Sequence, residues 1–142
     1  MDNRKQITID DVKFYNVKTM VEDNGNLTAI ESDIDIPFTI KRVFYVFGVE
    51  DQSIRGCHAH YETQQLLICL KGKIEVICKD GTSQRKFLLD SPQQGLYVPH
   101  MIWDEQIYKS QETILMSICS RHYDPIDYIH DYEQFQAEKG SV

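Results

Sequence analysis

No run of about eighteen or more apolar residues occurs in this 142-residue sequence, so no stretch is long enough to cross a bilayer as a helix. The opening residues Met1, Asp2, Asn3, Arg4, Lys5 and Gln6 are polar with no apolar core behind them, unlike a secretory leader, and a cytoplasmic protein with no membrane partner is expected. Positive charge is scarce as well. Fifteen Lys and Arg stand against 22 Asp and Glu, a formal net charge of −7, which argues against nucleic-acid partners and anionic membrane surfaces, since both need a basic face. An anionic ligand must therefore meet a local cluster of Arg or Lys. The four cysteines, Cys57, Cys69, Cys78 and Cys119, form no C-x-x-C pair for zinc or redox work; they read as small buried hydrophobes in a reducing compartment, with Cys57, which stands inside the R-G-C-H-A-H motif and outside the apolar runs, as the exception. No internal repeat, low-complexity tract or Pro/Ser-rich linker divides the chain, and its length suits one domain over 1–142.

What is present is short, β-branched and aromatic. Residues 41–49 (K-R-V-F-Y-V-F-G-V) read as a strand buried on at least one face, and 65–70 with 73–78 read as a hairpin turning at Lys71 and Gly72. Asp80-Gly81 marks the next turn, 87–89 the returning strand, 96–98 a short strand between Pro92 and Pro99, and 113–119 the last strong strand. Short strands with turn signals between them predict an all-β sandwich or barrel. Near the end the period changes: Tyr128, Tyr132 and Phe135 fall at i, i+4 and i+7. A short C-terminal helix is predicted, capped by Asp124, with Pro125 in its first position and Asp127 favoured by the helix dipole.

The chemistry-bearing segment is Arg55-Gly56-Cys57-His58-Ala59-His60. Two histidines at i and i+2 on a strand project to one face, which in a small barrel is the lumen. With Gln65 and then Gly72, the H-x-H arrangement resembles the first cupin motif, in which two His and a Glu hold a metal. Gln65 stands in place of that Glu, and a neutral amide is a poor ligand for a divalent transition ion. The second cupin motif, P-x-G-x-x-H, meets Pro99, His100, Met101, Ile102, Trp103 and Asp104, so its Gly is Met and its closing His is Asp. Without metal or other cofactor, His58 and His60 are free to carry protons near neutral pH. A two-His-one-carboxylate site of His58, His60 and Asp104 is the alternative.

Five further segments, in order along the chain, extend this likeness: G-N-L-T-A-I-E at 25–31, I-P-F-T-I-K-R-V-F-Y-V at 36–46, Q-L-L-I-C-L-K-G at 65–72, G-L-Y-V at 95–98, and Tyr123, Asp124, Asp127, Tyr128 and Ile129. Together with R-G-C-H-A-H they resemble the dTDP-4-keto-6-deoxy-D-glucose 3,4-ketoisomerases, metal-independent cupins of the FdtA/QdtA type. The resemblance implies an RmlC-like jelly-roll barrel, a dTDP-4-keto-6-deoxy-D-glucose substrate and a homodimer whose subunits exchange an N-terminal strand. It further implies a 3-keto product that feeds a PLP-dependent aminotransferase making 3-amino-3,6-dideoxy sugars for surface polysaccharide. By the motif, His58 and His60 are the active-site histidines and His60 the principal base. Family members often carry W-H-E-M where this chain has Trp103, Asp104, Glu105 and Gln106, so Asp104 either replaces that His in returning a proton or changes the stereochemical outcome.

The expected reaction needs no cofactor: a C4 ketone acidifies the C3 hydrogen, a base removes it, and reprotonation of the enediolate at C4 leaves the carbonyl at C3. His60 is expected to abstract, His58 or Asp104 to help return the proton, and Arg55 to hold the oxyanion or a phosphate; Arg55 equally suits a solvated turn. Tyr45 reads as a lumen hydroxyl or as core, Arg42 as a diphosphate clamp or a surface charge, and Tyr97 and Trp103 as stacking platforms or core; Gln65 completes the substrate contacts. The competing readings are a 3,5-epimerase, a metal-dependent cupin oxygenase and a non-catalytic sugar-nucleotide sensor.

Overall fold

Backbone pairing shows where each strand lies in the computed structural model, which describes residues 6–140. Twelve strands are formed among these residues: β1 (Lys13–Asn16), β2 (Thr19–Glu22), β3 (Gly25–Thr28), β4 (Arg42–Val46), β5 (Ile54–His60), β6 (Gln65–Lys71), β7 (Ile74–Lys79), β8 (Gln84–Leu89), β9 (Gln94–Val98), β10 (Trp103–Tyr108), β11 (Ile114–Cys119) and β12 (Tyr128–Ile129), followed by helix α1 (Tyr132–Gly140). Two five-stranded antiparallel sheets, ordered β1-β9-β6-β11-β4 and β12-β5-β10-β7-β8, face one another, and β2 and β3 form a separate hairpin. The all-β barrel with a short C-terminal helix is the expected architecture. Among the described residues no helix is long and apolar enough to cross a membrane.

The main core fills the space between the sheets: Leu67 and Cys69 from β6, Ile74, Val76 and Cys78 from β7, Leu96 and Val98 from β9, and Leu115 from β11. On β7 only alternate residues are buried, as a sheet with one covered face requires. On β6 five consecutive residues are buried, because its other face, bearing Leu66 and Ile68, lies under Val17, Ile36 and Phe38 of the N-terminal segment. A third cluster forms outside the second sheet, where Ala59, Met101 and Trp103 pack against Ile129 and Phe135. The β6–β7 turn needs glycine: Gly72 has φ +82°, and a Cβ there would lie 2.8 Å from the Thr113 Cα.

Two boundaries differ from expectation. The strand predicted at 41–49 stops at Val46, beyond which Phe47 is exposed and Gly48 turns with φ +71°. The helix predicted from Asp124 is three separate pieces. Asp124 does act as a cap, accepting from the Ile126 N–H, but it caps one 3₁₀ turn (Pro125–Asp127). Tyr128 and Ile129 then pair with His60 and Ala59 as β12, and only Tyr132 and Phe135 stand on α1. The reason is the Asp127 carboxylate, which accepts from Glu62 N–H, Thr63 N–H and the Thr63 hydroxyl and so ties the turn to the loop after β5. With the chain held there, the backbone of Tyr128 and Ile129 finds its partners on β5 instead of in a helix.

Candidate active site

A bulge aims the histidines. Asp104 pairs with His58 whereas Glu105 pairs with Gly56, so Cys57 is the extra residue of β5. Gly56 (φ +79°) and Cys57 (φ +58°) both adopt left-handed conformations, and a Cβ on Gly56 would lie 3.0 Å from Asp104 Oδ1. Beyond the bulge the strand alternates regularly. Ala59 is buried in the outer cluster, while His58 and His60 share the opposite face with ring centroids 5.0 Å apart at 83°.

Their surroundings differ. His58 Nδ1 lies 3.1 Å from the Gly56 carbonyl oxygen, which can only accept, so Nδ1 carries a hydrogen. His60 is 3% exposed and its Nε2 is buried without a hydrogen-bond partner. Burial first, then the neighbouring His58, Arg42 and His130, push the His60 pKa down to about 3, so the ring is a neutral imidazole across the physiological range.

Tyr128, directly opposite His60 in register, covers both rings: its centroid is 4.4 Å from that of His60 and 5.1 Å from that of His58. His130 stacks on it at 5.5 Å, 7° from parallel. The Tyr128 hydroxyl accepts a 3.3 Å hydrogen bond from Arg42, whose guanidinium lies 5.5 Å from the Tyr123 ring centroid and 5.7 Å from that of Phe44. Arg42 Nε is buried without a partner. Behind His58, the inward residues of β10 form a ladder: the Tyr108 hydroxyl donates to Gln106 Oε1 (3.1 Å) and Gln106 Nε2 donates to Asp104 Oδ1 (2.9 Å). Asp104 is 1% exposed; burial raises its carboxyl pKa, opposed by His58 and the Gln106 hydrogen bond.

The remaining candidates are dispersed. Gln65 is buried, with Nε2 donating to Ser117 Oγ (3.0 Å) and towards Cys119 Sγ (3.8 Å). Arg55 is exposed at the far end of β5, in an open groove with Tyr45, Phe47 and Ile54, and its charge lowers the Tyr108 pKa against the larger effect of burial. Three side chains lie outside the lumen, each for a reason of strand parity. Tyr45 sits on the outward face of β4, 65% exposed and stacked with Phe47 at 5.9 Å. Tyr97 packs with Tyr15 and Phe38 on the far side of the first sheet and donates to Gln64 Oε1 (2.6 Å), because its neighbours Leu96 and Val98 take the inner face. Trp103 is buried against Tyr132 and Phe135, its Nε1 donating to Glu105 (2.9 Å), since Asp104 and Gln106 occupy the inner positions. Among the described residues no three His, Cys, Asp or Glu side chains converge to hold a metal, so the His58, His60 and Asp104 alternative is not assembled as a ligand set.

Sequence reasoning missed Tyr128 and His130, having put Tyr128 on a helix face. The signal was the Asp127-Tyr128-Ile129 segment, part of the ordered resemblance and not explained by helical period.

Comparison with known proteins places this geometry. Residues 10–140 match the family model FdtA, described as "WxcM-like, C-terminal". The chain is 41% identical over 124 residues, 87% of its length and 89% of the relative's, to the TDP-4-oxo-6-deoxy-alpha-D-glucose-3,4-oxoisomerase of Aneurinibacillus thermoaerophilus. It superposes with TM-score 0.90 and 34% identity on QdtA, a sugar 3,4-ketoisomerase from Thermoanaerobacterium thermosaccharolyticum crystallised with TDP, over 94% of this chain and 97% of that one. A dTDP-4-dehydrorhamnose 3,5-epimerase from Bacillus anthracis shares the fold alone, at TM-score 0.74 and 17% identity over 86% of this chain and 81% of that one.

Proposed function

The chain belongs to the WxcM-like FdtA family, and from that premise we propose how its barrel works: it is a TDP-sugar 3,4-ketoisomerase acting on TDP-4-keto-6-deoxyglucose, with His60 as the base. The observation that carries the assignment of His60 is its buried Nε2, unclaimed by any group among the described residues, in a ring held neutral beside a second imidazole. Its lone pair is available to take the C3 hydrogen. Burial and the neighbouring His58, Arg42 and His130 oppose protonation of His60. Negative charge developing on O4 of the enediolate reverses that balance, so the proton is accepted as the oxyanion forms.

The His60 imidazolium passes its proton to the neighbouring His58, 5.0 Å away between ring centroids, and His58 delivers it to C4 with Asp104 behind it compensating the charge; which face the proton enters by sets the C4 configuration, a role falling to Asp104 where relatives often have His. Arg42, with an unpaired Nε beside Tyr128, holds the developing oxyanion better than it suits a diphosphate clamp. Arg55, exposed in the groove it shares with Tyr45 and Phe47, is left for the diphosphate of the dTDP moiety.

The protein acts as a homodimer in this reading, supported by the exposed Val43, Tyr45, Phe47 and Ile54 near the edge strand β4, and by Met20, Val21 and Leu27 on the β2–β3 hairpin. Four unpaired cysteines suit a reducing cytoplasm. The 3-keto product has the carbonyl a PLP-dependent aminotransferase needs to make a 3-amino-3,6-dideoxy sugar.

The test is NMR of TDP-4-keto-6-deoxyglucose incubated with the purified protein and a chelator. The expected result is migration of the carbonyl from C4 to C3. Recovery of unchanged substrate would leave only a sugar-nucleotide sensor, and exchange at both C3 and C5 without carbonyl migration would indicate a 3,5-epimerase.

A further inference from the structure

A carboxylate taken out of water is costly to keep charged, and Asp104 lies buried directly opposite His58 in strand register. It can compensate an imidazolium only while it is ionised. Burial works against that charge, whereas His58 and the hydrogen bond from Gln106 work for it. The titratable groups that face Asp104 are Cys57 and His58 on β5, Cys78 on β7, and Glu105 and Tyr108 on β10. Burial pushes both thiols and the Tyr108 phenol up, so these three stay neutral. Glu105 is engaged on the outer face, 3.3 Å from Lys79 and accepting from the Trp103 indole.

We infer that Gln106 is a positioning residue for the reaction: oriented by Tyr108, its amide N–H holds the Asp104 carboxylate charged beside His58, an assignment that rests on the ketoisomerase reading above. An amide can turn either its oxygen or its NH2 towards a neighbour, and the two ends have opposite effects on a carboxylate. Tyr108 decides which end Asp104 meets. Its hydroxyl donates to Gln106 Oε1 at 3.1 Å, so the oxygen end is taken and Nε2 faces Asp104 Oδ1 at 2.9 Å. Because the buried phenol keeps its hydrogen, the row does not reverse near neutral pH. A reversed amide would set oxygen against oxygen, an arrangement only a protonated Asp104 could meet. Gly56 leaves room for the pair: a Cβ there would lie 3.0 Å from Asp104 Oδ1 and 3.3 Å from Gln106 Nε2, crowding both ends of the hydrogen bond.

Gln106→Met keeps the length of the side chain and removes the amide. NMR of isotope-labelled aspartate carboxyls, with the Asp104 signal assigned by its loss in Asp104→Asn, is expected to show the Asp104 midpoint about one pH unit higher than in wild type. The kcat for carbonyl migration is expected to fall about tenfold while TDP affinity is unchanged. In an Asp104→Asn background the same replacement is expected to change kcat by less than about twofold, since no charge is left to hold. A purely structural Gln106 would lower kcat equally in both backgrounds.

An unmoved midpoint, an unchanged kcat, or a loss of the same size in the Asp104→Asn background overturns the inference. Wild-type protein that fails to migrate the carbonyl defeats the ketoisomerase reading instead, and the Asp104 midpoint still decides whether Gln106 holds the charge. Should Gln106→Met fail to fold, Tyr108→Phe takes its place: the released amide is expected to raise the midpoint by a smaller amount, and an unmoved midpoint overturns the assignment.

Discussion

Replacing His60 by Gln should flatten the dependence of stability on pH, and the size of the effect follows from burial. The unfolded chain protonates this histidine near 6.5, whereas the folded site holds it neutral down to about pH 3 because of desolvation, with His58, Arg42 and His130 adding positive charge. Between those values the unfolded state binds one more proton than the native state, so stability falls as pH falls through the window and is fully retained above 6.5. Each pH unit in that window costs about 1.4 kcal/mol, so acidification from pH 7 to 5 removes roughly 2 kcal/mol through His60 alone. Urea denaturation of wild type and His60→Gln at pH 7 and pH 5 measures it: the other histidines titrate in both proteins and cancel in the difference. The wild type should lose about 2 kcal/mol more than the variant on acidification. Parallel losses would refute the buried, neutral state on which the base assignment depends.

Three further outcomes follow from the packing. Trp103→Ala should destabilise the fold by about 3–5 kcal/mol, because the indole anchors α1 outside the barrel, while TDP affinity of the folded fraction holds; the reverse pattern in denaturation and titration would return Trp103 to the binding site. Asp127→Ala leaves a buried donor at Thr63 and a part-buried one at Glu62 unpaired and should cost roughly 1–3 kcal/mol in denaturation, with a larger loss of turnover than of TDP binding as β12 loses its tether. Gly56→Ala forces a Cβ into a left-handed conformation 3.0 Å from Asp104 Oδ1; a cost of about 1–2 kcal/mol and a drop in turnover are expected, and an unaffected variant would show that the bulge does not need glycine.

The barrel was legible wherever apolar character and strand period coincided. Strands β6 and β11 bury most of their residues and β7 every second one, and all three declare themselves by Leu, Ile, Val and Cys. Strand β10 did not, because its inward positions hold Asp104 and Gln106: a polar ladder inside the barrel reverses the pattern by which inward faces are recognised. The same parity decides between the two readings of Tyr97 and Trp103, which are core residues, but of the outer clusters. The histidine pair was readable because i, i+2 spacing survives any strand register, and the bulge at Cys57 precedes both rings without separating them. Tyr128 was not. Its spacing to Tyr132 fits a helix, and only the tertiary tie of Asp127 to the loop after β5 makes it a strand residue facing His60. A long-range carboxylate contact of this kind has no local signature.

The central claim is that an imidazole in the barrel lumen removes the C3 hydrogen, and the most direct measurement is C3 exchange in deuterated water by His60→Asn protein shown by titration to bind TDP as wild type does. The account predicts that C3 exchange and formation of the 3-keto sugar are both abolished while TDP binding persists. C3 exchange at the wild-type rate in that variant would contradict it.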